Sequence, residues 1–104
     1  MTLFDDREHA FEAKFAHDAE MQFRAEARRN RLLGLWAAEL LGRKGEAAEA
    51  YAREIIKADF HEAGDEDVFR RVQQDLGHLL DDAEIRAKMA ELKAEAKAQL
   101  LQEV

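Results

Sequence analysis

FDDREHAFEAKFAHDAEMQFRAEARRNRLLGLWAAELLG, residues 4–42, repeats its large apolar side chains at helical intervals from end to end. Phe4, Phe11 and Phe15 stand seven and four apart, so on a 3.6-residue helix they share one face. The stripe runs on through Leu33, Trp36, Ala37 and Leu40 until Gly42 offers a stop. No glycine or proline interrupts the first 33 residues, and Asp5 with Glu8 has the three-residue spacing of a capping box. The pattern predicts one helix from Asp5 to Leu41, roughly 55 Å long at 1.5 Å per residue.

Beyond Gly42 the chain divides at glycines and acidic caps. After the short basic turn Arg43-Lys44-Gly45, a second helix is expected from Glu46 to Phe60, burying Ala48, Tyr51, Ala52 and Ile55. Gly64 interrupts the pattern, and Asp65, Glu66 and Asp67 then place negative charge at the positive end of a third helix. That helix is expected to bury Val68 or Phe69, Val72 and Leu76, and to end near Gly77. Asp81 and Glu84 form a second capping box, opening a fourth helix with Ile85, Met89, Leu92, Ala96 and Leu100 on its inner face. Short linkers make neighbouring helices antiparallel, so the expected fold is all-α, a four-helix bundle.

Lengths divide the first helix. The fourth helix spans roughly 33 Å, so the first overshoots its longest partner by roughly 20 Å. Its second half carries the better core stripe, and its first half has phenylalanines without an obvious surface to bury them. The expected organisation is therefore an N-terminal arm, residues 1–19, mobile in the free protein, followed by a bundle of residues 20–104.

Composition supports this class and excludes others. The chain has 104 residues, 38% of them charged, with no proline and no cysteine. Disulfides, thiol chemistry and cysteine metal sites are thus ruled out. The net charge of −7 sits mostly after residue 31, and an acidic body argues against binding nucleic acid, which requires neutralising phosphates. No apolar run is long enough for direct membrane insertion, and the charged N-terminus does not read as a signal peptide, so the expected location is cytoplasmic.

Four constellations bear on chemistry. The arginines Arg24, Arg28, Arg29 and Arg31 are interleaved with Glu20 and Glu26, and Glu20 pairs with Arg24 at i+4; a solvated, ion-paired face accounts for them. Asp6 with His9, and Asp75 with His78, repeat a carboxylate-x-x-His spacing. A di-iron bundle needs glutamates in that spacing plus two more, all facing inward, so no metal site and no cofactor is expected. With no serine, one threonine and no glycine-rich phosphate loop, no nucleophile–base–orienter set can be assembled, and no enzyme is expected. The phenylalanine stripe either caps the bundle core or supplies i, i+4, i+7 anchors for a partner's groove, with Asp5, Arg7, Lys14 and Asp18 as polar rim. The overhang favours the groove.

The stretch from Phe4 to Gly42 closely resembles the zeta subunit, the ATPase inhibitor of alphaproteobacterial F-type ATP synthases. The resemblance continues through DFHEAGDEDVFRRV, residues 59–72, and IRAKMAEL, residues 85–92. It implies a four-helix bundle with a mobile N-terminal segment that becomes helical on entering the interface of the alpha, beta and gamma subunits. Hydrolytic rotation is thereby blocked and synthesis spared. The inhibitory region would correspond to Thr2 through Ala19. Phe4, Phe11 and Phe15 would be its anchors, and Arg7, Lys14 and His17 its polar contacts. The protein would be a free monomer that associates with the cytoplasmic face of the inner membrane only through ATP synthase. Two rivals meet the same residue pattern: a generic helical adaptor using the arm on another protein, and a dimer pairing two arms.

Overall fold

The computed structural model describes residues 19–59 and 65–103, which form four helices: α1 (Ala19–Leu40), α2 (Glu46–Ala58), α3 (Glu66–Leu76) and α4 (Asp82–Glu103). The expected all-α four-helix bundle is what the chain adopts. The Asp5–Glu8 capping box and the arm lie outside the described residues. Among those described, α1 and α4 each have 22 residues and match in length.

Ends form where local chemistry dictates. α1 stops at a Schellman turn: Gly42, at φ 76°, donates its N–H to the Glu39 carbonyl at 3.0 Å, and Arg43 donates to Ala38 at 2.8 Å. At the head of α4 the capping box closes reciprocally. Glu84 N–H donates to Asp81 Oδ1 at 2.8 Å, and Asp81 N–H donates to Glu84 Oε1 at 3.2 Å.

Each helix runs antiparallel to its neighbour in sequence, and α4 runs antiparallel to α1. Gly34 meets Ala52, Tyr51 meets Asp75, Glu66 meets Arg86, and Arg28 in the first half of α1 meets Glu103 at the end of α4. The main core joins Leu33, Ala37 and Ala38 of α1 to Tyr51 and Ile55, to Val68, Phe69, Val72 and Leu76, and to Ile85, Met89 and Leu92. Both Val68 and Phe69 are buried, where the sequence pattern left one of them open. Tyr51 is anchored by donating its hydroxyl to Asp75 Oδ2 at 2.7 Å, and burial raises its pKa above the usual tyrosine range. Arg43 and Arg71 lie over its ring at 5.2 and 5.7 Å, a cation–π pairing.

α1 departs from its expected inner face. Leu40 is 43% exposed, Trp36 is half-buried, and the buried set is Ala25, Arg29, Asn30, Leu33, Gly34, Ala37 and Ala38. The reason is the closeness of α2. A Cβ on Gly34 would stand 2.5 Å from the Cα of Ala52, so the two helix backbones touch through small residues, and the stripe turns toward them. Gly34→Ala is therefore expected to destabilise the bundle by about 2 kcal/mol in urea unfolding. A Cβ this close to backbone incurs the upper end of the overpacking cost of about 1–3 kcal/mol, which outweighs the roughly 1 kcal/mol that alanine gains in helix propensity. An increase in stability would show that the helices do not approach this closely.

Candidate partner-binding surface at the head of the first helix

The residues that sequence reasoning assigned to partner binding, Phe4, Asp5, Arg7, Phe11, Lys14, Phe15, His17 and Asp18, all lie outside the described residues. What the structure defines is the segment that follows them in the chain, the first turns of α1.

That segment is held by the far end of α4. Ala25 and Leu100 are buried against each other with Met21 and Leu101 packed beside them, a small core separate from the main one. Arg28 reinforces it with a two-pronged bond to Glu103, at 2.6 and 3.0 Å. This pairing holds the Glu103 carboxyl below the usual carboxylate range. The start of α1 is thus fixed in direction by tertiary contacts rather than by helix propensity alone.

Phe23 breaks the pattern. It is 57% exposed, the most exposed of the large hydrophobic side chains among the described residues, and it projects from α1 one turn after Ala19. Beside it lies a groove of about 110 Å³ lined by Phe23, Glu26, Ala27, Asn30, Ile56 and Asp59. Phe23 stands off the Phe4–Phe11–Phe15 stripe, which is why sequence reasoning passed over it. A large aromatic in a helix whose inner face is already filled was the available signal.

The groove floor rests on a buried polar network. Arg29 is 1% exposed, and its Nε donates to Asn30 Oδ1 at 2.7 Å while an Nη donates to Asp65 Oδ1 at 2.9 Å. The Asn30 side chain also faces the Asp59 carboxyl and acts to lower its pKa. Two consecutive residues of α1 thereby bear on the end of α2, at Asp59, and the start of α3, at Asp65. Arg29 depresses the Asp65 pKa below the usual range, whereas burial raises that of Asp59 despite the opposing influence of Asn30 and the nearby Arg29 charge. The far side of the network faces a second hollow of about 180 Å³, bounded by Arg29, Asp65, Arg86, Met89, Ala90 and Lys93. There Arg86 grips Glu66 in a two-pronged bond and lies 3.7 Å over the Phe69 ring.

The arginine cluster is ion-paired throughout: Arg24 with Glu20, Arg28 with Glu103, Arg29 with Asp65 and Arg31 with Glu49. The sequence reading of a solvated face is corrected at Arg29, which is interior. Its charge is tolerated there because a carboxylate and an amide meet it. Of the two carboxylate-x-x-His pairs, Asp6 and His9 lie outside the described residues. Asp75 accepts from Tyr51 and from Arg71 Nε, while His78 is exposed. Among the described residues no three histidine or acidic side chains form a metal cluster, and no helix is long and apolar enough to cross a membrane.

Against this geometry, the family model of ATPase inhibitor subunit zeta matches residues 1–99. A solved solution NMR structure is 60% identical, covering 81% of this chain and 99% of its own, and superposes with a TM-score of 0.74. No curated protein matches the chain.

Proposed function

Because the chain belongs to the ATPase inhibitor subunit zeta family, we propose that residues 1–19 act as an inhibitory arm, inserted as a helix where the alpha and beta subunits of F-type ATP synthase meet gamma. The coarse role, regulation of an ATP synthase by an inhibitor subunit rather than catalysis, follows from family membership. The observation that supports the finer reading is that the family match begins at residue 1, so it takes in the phenylalanine stripe as well as the bundle.

On this reading Phe4, Phe11 and Phe15 enter the partner's cleft, and Asp5, Arg7, Lys14, His17 and Asp18 form the rim that sets register. A catalytic interface opens and closes as the rotor turns. A helix that binds one state of that cycle holds the equilibrium there, in proportion to its preference for that state. Rotation in the synthetic direction reopens the cleft and frees the helix, which gives directionality. The bundle's part is mechanical: the α1–α4 contacts of Arg28 and Leu100 hold the arm's base rigid.

Removing residues 1–17 tests the division of labour. The truncated bundle is expected to fold with unchanged helicity and to show no inhibition of ATP hydrolysis by the purified enzyme. Inhibition at full potency by the truncated protein would show that the arm is not the active part. The same experiment separates this reading from a generic adaptor: a chain that binds another protein leaves ATP hydrolysis untouched at full length.

A further inference from the structure

We propose that the inhibitory surface continues past the arm onto the bundle, and that the Phe23 groove receives a cationic segment of the ATPase carrying one aliphatic or aromatic side chain. The inference rests on the inhibitory reading of this chain and adds a second contact to it.

Three observations carry it. Phe23 is on the same helix as the arm's root, so a partner gripping residues 1–19 is brought alongside it. The groove of about 110 Å³, between the Phe23 ring and Ile56, has the dimensions of a single side chain. An exposed aromatic beside such a cleft is the usual composition of an interface anchor. The rim is acidic: Glu26 on α1 and Asp59 at the end of α2 flank the apolar floor.

Charge selects the occupant. Residues 1–18 contain five acidic and two basic side chains, so the chain's own arm folded back would bring like charge to an acidic rim. A second copy fares no better, because the whole chain carries −7 and would present the same two carboxylates. A cationic partner segment meets the rim with opposite charge, which favours encounter and register as well as contact. Phe23 has little to lose in the free protein and buries its ring only in the complex.

The test uses the full-length chain with purified ATPase. Phe23→Ala is expected to weaken inhibition roughly tenfold, the scale of a single interface anchor, and Glu26→Lys to weaken it while flattening or reversing its dependence on salt, because an attraction that salt screens becomes a repulsion that salt relieves. Both should melt within a few degrees of the wild type, since Phe23 is exposed and Glu26 is half-buried at the groove rim, outside both core clusters. Wild-type potency in both variants, alongside an inactive arm deletion, overturns this inference and leaves the inhibitory reading standing. Full potency in the arm deletion overturns the inhibitory reading itself. Stronger inhibition by Phe23→Ala would mean that the groove holds the chain's own arm, and a sedimenting dimer dissolved by Phe23→Ala would mean a second copy; either result overturns the proposal.

Discussion

The double variant Phe11→Ala/Phe15→Ala is expected to lose inhibition of ATP hydrolysis by a factor of at least a hundred, with the bundle melting at its wild-type temperature. The size follows from burial. Transferring a phenylalanine ring from water to an apolar cleft is worth about 1.5–3 kcal/mol, so two rings contribute about 3–6 kcal/mol. Each 1.4 kcal/mol is about a factor of ten in affinity, which puts the loss between roughly 10² and 10⁴. The unchanged melting temperature is the discriminating half of the measurement. If the rings belong to the partner's interface, their loss costs the isolated protein nothing. If they cap the bundle core instead, the same substitutions lower stability by several kcal/mol, as large-to-small changes in a core do. Inhibition assays paired with thermal unfolding therefore separate the two origins of the phenylalanine stripe. Full potency in the variant would remove Phe11 and Phe15 from the contact surface.

The second large effect is expected at Asp65, which the proposed inhibitory contact does not involve. Arg29 is 1% exposed, and its guanidinium is met there by the Asp65 carboxylate and the Asn30 amide. Asp65→Ala leaves that guanidinium buried without its counter-ion, a loss of about 3 kcal/mol or more. For a domain of this size it lowers the melting temperature by about 12 °C or more. Asp65 itself is 39% exposed on its side chain, so most of the cost arises from the stranded arginine. Replacing both partners, Arg29→Met with Asp65→Ala, should recover most of the loss, because an apolar side chain of similar length fills the space without a charge to compensate. No recovery in that double variant would assign the loss to the start of α3 rather than to the buried charge.

The pH dependence follows with its sign. Asp65 has a folded pKa below that of the unfolded chain, so its contribution is complete above the ordinary carboxylate pKa of about 3.9 and is lost as pH falls through the depressed folded value. Asp59 works in the opposite sense: its folded pKa is raised, so the folded state takes up that proton first, and acidification removes a penalty there. Acid unfolding of Asp65→Asn should consequently show a shallower loss below about pH 4 than the wild type. Equal slopes would mean that the Arg29–Asp65 pair contributes nothing to acid sensitivity.

Interfering with either residue pair has a different reach. On the proposed reading the arm variants act on the complex with the ATPase and leave the bundle alone. The Asp65 variants act on the bundle, and on inhibition only through the fraction of folded protein.

Much of this molecule was determined by the sequence alone, because its decisive signals are local. Helix periodicity, the Asp81–Glu84 box and the Gly42 stop act over a few residues, and each is found where the spacing placed it. The inner face of α4, from Ile85 to Leu100, is read correctly for the same reason: one helix meets a broad core, and periodicity suffices. Only the tertiary structure decided the rest. Gly34 is unremarkable in a chain of helix formers until α2 comes close enough for Ala52 to occupy the space of a Cβ. Arg29 looks like one of four surface arginines, and it is interior because Asp65, 36 residues away in the chain, folds back to meet it. Phe23 has the same helical spacing rules as its buried neighbours, yet it faces outward because Ala25 and Leu100 have already filled the seam between α1 and α4. Close approach, long-range charge pairing and the side of a helix left over after packing are properties of two or more elements at once, and no window along a single chain contains them.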